Sequence, residues 1–162
     1  MVDATGIKQL IECLTEQAKL IAKLVSVGEG QIDALKVDNI SLIKATITEQ
    51  EKLGRQLALR EKARREIVFE IGRQFGSEFK LVDILQKVSS DEKQQLQRLS
   101  DNIVQNQLKL HAINELTRLL LKQSLQYVHR MLSHINPQIQ QTYGVSGKVE
   151  QVYDTVVLNR SV

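Results

Sequence analysis

From Leu96 the chain repeats an apolar position alternately every three and four residues, at Leu99, Ile103, Leu110, Ile113, Leu120, Tyr127 and Met131. Asn106, Thr117, Ser124 and His134 fill the remaining places in the same row. This is a heptad seam. Neither Gly nor Pro interrupts residues 96–135, so the pattern predicts one helix about 60 Å long at roughly 1.5 Å per residue. A rod of that length has to pack lengthwise against a comparable element. Before Leu116 the apolar stripe is narrow; beyond it Leu116, Leu119, Leu121, Leu125, Val128 and Leu132 flank the seam. One neighbouring helix covers a stripe of roughly 100°, so this second half requires two or more neighbours of the same chain, or an outside partner. The polar seam residues read as register devices, since a lone polar residue in such a seam fixes alignment at a cost in stability.

Two further helical patterns precede the rod. Ile7, Leu10, Ile11, Leu14, Ala18, Ile21 and Val25 predict an amphipathic helix over residues 5–27, with Gly28 and Gly30 as its stop. Ile32, Leu35, Ile40, Ile43, Ile47, Leu53, Leu57, Ile67 and Ile71 then predict a second long helix over residues 31–74, weakened at Gly54. Its length matches the rod from Leu96, and the two are expected to pair antiparallel. Residues 77–88 read as a short amphipathic segment closing the open end of that pair, and Ser89 or Ser90, followed by Asp91 and Glu92, starts the rod.

The rod has to stop at Asn136-Pro137, because proline disfavours helical backbone in the residue before it. The expected organisation is a helical bundle domain over residues 1–136 and a flexible C-terminal segment over 137–162. In that segment Val149, Val152, Tyr153, Val156 and Val157 fall on one face of a helix. Burying four or five such side chains yields about 6–15 kcal/mol, and ordering a dozen residues costs about as much. The valines equally suit an extended strand. A tail that folds back on its own bundle and a tail that binds a partner both remain open.

Composition supports an all-α reading. The 162 residues are 42% hydrophobic with a single Pro, no Trp and 4% aromatics, a balance of helix formers and few strand formers. The net charge of +3 is small and spread, which argues against a nucleic-acid partner. The densest charge, Arg60 to Arg73, interleaves Glu61, Glu66 and Glu70 at helical spacing, and reads as a solvated face with internal ion pairs. Cys13 stands alone, which excludes an internal disulfide and suits a reducing compartment. No segment has the length of an apolar membrane span, and the N-terminus lacks a signal-peptide pattern. The expected location is the cytoplasm.

No catalytic constellation is visible: no nucleophile with its base, no phosphate loop, no metal set. His111 and Glu115, one turn apart, are two ligands where a zinc site needs three or four. The chain is read as a non-enzyme without cofactor or metal.

In order along the chain, Gly28-Glu29-Gly30, then Leu53 through Glu61, Arg64 and Ile67, then Asn114, Leu119 and Leu120, and finally Thr142, Tyr143, Gly144 and Gly147 form a series that resembles the FlgN-type flagellar export chaperones. Thr117 departs from it, where that segment often carries a second Asn. The resemblance implies a cytoplasmic helical protein that binds hook-associated (hook-filament junction) subunits, through their C-terminal helical segments, and delivers them to the flagellar export apparatus. The fold it joins is the one read from periodicity: all-α, a long antiparallel helical hairpin or coiled-coil bundle with a shorter N-terminal helix and a flexible C-terminal tail. Partner contacts are then expected at Leu121, Leu125, Val128 and Leu132 on the widened face, and at Val149, Val152, Tyr153 and Val156 in the tail, positioned by Tyr143 and its glycines. The alternative is a structural coiled coil that self-associates through the same surface, as a homo-oligomer with no client.

Overall fold

A computed structural model describes residues 4–73, 81–86, 88–135, 141–143 and 149–151. Helices α1 (Ala4–Lys36), α2 (Ile40–Arg73), α3 (Leu81–Leu85) and α4 (Ser90–Ile135) precede two short strands, β1 (Gln141–Tyr143) and β2 (Val149–Gln151). The chain divides into two compact units, Met1–Leu120 and Leu121–Val162.

In the first unit α1 and α2 form a long antiparallel hairpin. Cys13 lies against Arg60, Gln17 against Glu61 and Gln31 against Gln50, so positions climb on one helix as they fall on the other. Ile7, Leu10, Leu14 and Ile71 meet Ile84 of α3 and Leu96 of α4 in a core at the open end of the hairpin. A second core of Leu20, Leu24 and Leu53 takes in Leu110 of α4. Leu96 thus sits near Ile7 and Ile113 near Gly28, so α4 runs parallel to α1 and antiparallel to α2. Its side chains join both cores, while only α1 and α2 approach each other closely along their length.

The all-helical bundle with a long antiparallel hairpin is the architecture expected, but its hairpin is assembled differently. The tight pair is α1 with α2, not the second helix with the rod, and at 33 residues α1 is nearly as long as the 34 of α2. The predicted stop at Gly28 and Gly30 is the cause of the difference, because α1 runs through both glycines. Gly28 is there for contact: a Cβ at that position would lie 2.7 Å from Ile113 Cγ2.

The chain turns instead at Val37-Asp38-Asn39. Asp38 adopts φ 52°, its N–H donates to the Leu35 carbonyl (3.4 Å), and the Asn39 N–H donates to the Ala34 carbonyl (3.0 Å). This is the Schellman closure with Asp in the left-handed position that glycine usually fills. Asn39 then caps α2, its Oδ1 accepting from the Leu42 N–H at 3.1 Å. Helix α2 continues unbroken through Gly54.

The start of α4 is as the sequence indicates. Glu92 N–H donates to Ser89 Oγ (3.4 Å) and Ser89 N–H donates to Glu92 Oε2 (3.1 Å), a reciprocal capping box. Residues 77–80 of the expected capping segment lie outside the described residues; its helical part is α3, whose Ile84 is fully buried.

The second unit holds the end of α4 and an antiparallel pair in which Gln141 faces Gln151, Thr142 faces Glu150 and Tyr143 faces Val149. The helix available from Lys148 on periodicity therefore gives way, at Val149–Gln151, to a strand. This is the outcome that β-branched Val149 favours.

Candidate functional site

Burial along α4 follows the heptad row. Leu96, Leu99, Ile103, Asn106, Leu110, Ile113, Thr117 and Leu120 are buried or half-buried, while most residues between them are exposed. From Leu121 to Ile135 only His129 is less than exposed. The seam continues through Ser124, Tyr127 and Met131, and these positions are exposed where the earlier ones are not. Leu121, Leu125, Val128 and Leu132 are each about half exposed, and Tyr127 and Ile135 more so. Monomeric proteins seldom leave a contiguous apolar surface of this kind open to water. The four α4 residues expected to contact a partner are therefore placed together along one accessible face.

The tail residues divide. Tyr143 and Val149 are register partners in the β1–β2 pair, which brings them to one end of the ribbon. Val152, Tyr153 and Val156 lie outside the described residues.

A second exposed apolar group was not foreseen. Val37, Ile40, Leu42 and Ile47 are exposed near the α1–α2 turn, so that of the expected stripe Ile40 and Ile47 are open while Ile43 is half-buried.

The most structured polar chemistry lies in the hairpin. Glu61 accepts hydrogen bonds from Gln17 Nε2 (2.9 Å), from Arg64 Nε (2.9 Å) and NH2 (2.7 Å), and from Arg65 Nε (3.0 Å). The Arg64 guanidinium chiefly, helped by Gln17 and Arg65 and opposed by partial burial, holds the Glu61 carboxyl down at about 2. The group borders a cavity of about 320 Å³ whose other lining includes Leu14, Ile21, Leu57, Ser100, Ile103 and Val104. Every partner of Glu61 comes from α1 or α2, so the cluster ties these two helices in register without involving α4. The dense charge of residues 60–73 is otherwise spent on neighbours, as in Lys62–Glu66 and Arg73–Glu70.

Nothing in this cluster resembles an activated nucleophile. Cys13 is buried and its Sγ donates to the Arg60 carbonyl at 3.3 Å; burial pushes the thiol up, against the smaller opposing pull of Arg60 and Arg64. Among the described residues no group of three or more His, Cys, Asp or Glu is placed to hold a metal ion. None of the described helices is long and apolar enough to cross a membrane.

Comparison with protein families gives a match over residues 1–151 to the family described as FlgN protein. Comparison with curated proteins and with solved structures gives no match.

Proposed function

Because the chain belongs to the FlgN family, a family of flagellar export chaperones and not of enzymes, we propose that it binds hook-associated subunits in the cytoplasm, prevents their premature assembly and delivers them to the export apparatus. The observation that carries this reading is the uncovered apolar face of α4 at Leu121, Leu125, Val128 and Leu132. Such a face fits an amphipathic helix laid along it, and the C-terminal helical segments of hook-junction subunits are the proposed ligands. Tyr143 and Val149, brought together by the β1–β2 register, extend the proposed contact into the tail. Val152, Tyr153 and Val156 join it on their sequence pattern alone.

Titration of the purified chain with C-terminal segments of hook-associated subunits tests the proposal. Leu125 and Val128 are exposed, so L125D/V128D should keep its helicity. It should lose about 3 kcal/mol or more of binding, above 100-fold in Kd, if both side chains are covered by the ligand. V152D/Y153D should also weaken binding without loss of helicity. Undiminished binding by L125D/V128D would place the ligand elsewhere.

The same exposed seam suits a second reading, a structural coiled coil that self-associates. Concentration-dependent oligomers that require Leu125 and Val128, together with no affinity for any subunit segment, would favour it.

A further inference from the structure

We infer that, in the chain without its ligand, the α4 face at 121–135 is covered by the chain's own segment 152–162, and that an incoming ligand displaces it. This rests on the reading that residues 121–135 form a docking face, and adds what occupies that face beforehand. The β1–β2 register puts the two within reach of each other. Five residues, 136–140, separate the end of α4 from β1, so Ile135 and Gln141 are at most about 22 Å apart. Antiparallel pairing sets Gln151 opposite Gln141, a separation of about 5 Å. Whichever way the ribbon points, the chain is returned at Gln151 to the strand end nearest α4 in sequence.

The segment that follows has the pattern and the length for the face. Val152, Tyr153, Val156 and Val157 fall at i, i+1, i+4 and i+5, on one side of a helix. Residues 152–162 span about 16 Å as a helix and about 36 Å extended, against about 21 Å from Leu121 to Ile135. On α4 the apolar side chains from Tyr127 through Met131, Ile135, Val128 and Leu132 to Leu125 form one arc of about 160°. Ser124 is the one polar residue within that arc, and Lys122 and Arg130 project from the opposite side of the helix. Apolar area, with no charge pairing, is therefore what the occupant has to supply. Tethering decides between segment 152–162 and a second copy of the chain. A segment joined to α4 through so short a connection faces it at an effective concentration in the millimolar range, so a second copy competes only at comparable chain concentrations. The gain from burying these side chains and the cost of ordering them nearly cancel, so the cover is readily displaced. Once displaced, the same side chains are free to pack on the ligand, and weaker binding by V152D/Y153D remains the expected result.

The test replaces Leu125, and separately Val128, by photoreactive benzoylphenylalanine in the full chain. A mixture of isotopically light and heavy chains is photolysed without ligand, and cross-linked peptides are identified by mass spectrometry. Cross-links should fall within residues 152–162 of the same molecule, with a yield that dilution leaves unchanged. V152D/Y153D, which removes two buried apolar side chains from the cover, should lower that yield at least about tenfold while circular dichroism stays the same. An excess of a hook-associated segment that binds should lower it as well. No cross-link to residues 152–162 from either position, cross-links joining light to heavy chains, or a yield that V152D/Y153D leaves intact overturns the inference. Its failure is separable from that of the chaperone reading. A hook-associated segment that cross-links to positions 125 and 128 when residues 152–162 never do overturns the cover and leaves the chaperone reading standing. Intramolecular cross-links to residues 152–162, with no hook-associated segment bound at either position, do the reverse.

Discussion

Gly28 and Gly30 lie two residues apart in one continuous helix, and the same substitution should have opposite signs at the two positions. Replacing a glycine by alanine within a helix stabilises it by about 1 kcal/mol through backbone propensity. At Gly30 nothing lies within 4 Å of the added Cβ, so Gly30→Ala should realise about 0.5–1 kcal/mol of that gain. At Gly28 the new Cβ would be 2.7 Å from Ile113 Cγ2, where carbon atoms normally rest about 3.5–4 Å apart. Ile113 is β-branched and held to one rotamer in a helix, so its methyl cannot rotate away. The helices have to separate, and overpacking of this kind costs about 1–3 kcal/mol. Gly28→Ala should therefore be neutral to destabilising by about 2 kcal/mol, and less stable than Gly30→Ala by about 1–3 kcal/mol. Urea unfolding followed by far-UV circular dichroism reads the difference, with Gly54→Ala, also open to 4 Å, as a second control. In the G28A/I113A double variant the clash is removed, and the cycle should return a coupling of about 1 kcal/mol or more. If Gly28→Ala is as stabilising as Gly30→Ala, α4 does not lie against α1 at this point and the placement of the third long helix is wrong.

The Glu61 cluster makes stability depend on acid. The carboxyl sits at about 2 when folded against an ordinary 4.5, so its contribution is complete above about pH 4.5 and is lost as pH falls toward 2. With the Glu61 side chain one-third exposed (33%), solvent screening reduces that contribution to about 1–2 kcal/mol; Glu61→Gln should flatten this part of the stability profile, and an unchanged profile would remove Glu61 from the account. Ser89→Ala breaks the capping box at the start of α4 and should cost about 1 kcal/mol in urea unfolding, with no loss if the cap is not formed. Asp38→Gly relaxes the φ of 52° and should be neutral or stabilising by up to about 1 kcal/mol, while Asp38→Val, which resists that backbone region, should destabilise by about 1–2 kcal/mol.

The heptad row of α4 was legible because it arises from a single physical requirement, an unbroken helix with one face against neighbours; positions 96–120 are less exposed where the period puts them. The break between α1 and α2 was not legible in the same way. Glycine is the usual left-handed residue after a helix, so Gly28 and Gly30 drew the stop, while Asp38-Asn39 carried the turn with local hydrogen bonds. That displaced boundary shortened the first helix and hid the α1–α2 hairpin. The Gln17–Glu61 contact spans 44 positions, and no periodicity announces a polar pair at that separation. Arg64 and Arg65, by contrast, lie within one turn of Glu61, and the ion-paired character of their face was readable from spacing. The widened face after Leu116 showed in the sequence as an excess of leucines. Its exposure did not, since the same excess would serve a helix buried on both sides.

We propose that residues 121–135 of α4 are the surface on which a hook-associated subunit is held. Amide hydrogen exchange of the full chain, alone and with C-terminal segments of hook-associated subunits, tests it most directly. At least one segment should slow exchange over residues 121–135 and leave the α1–α2 hairpin unchanged. Unaltered exchange there with every segment, or protection confined to the hairpin, would contradict it.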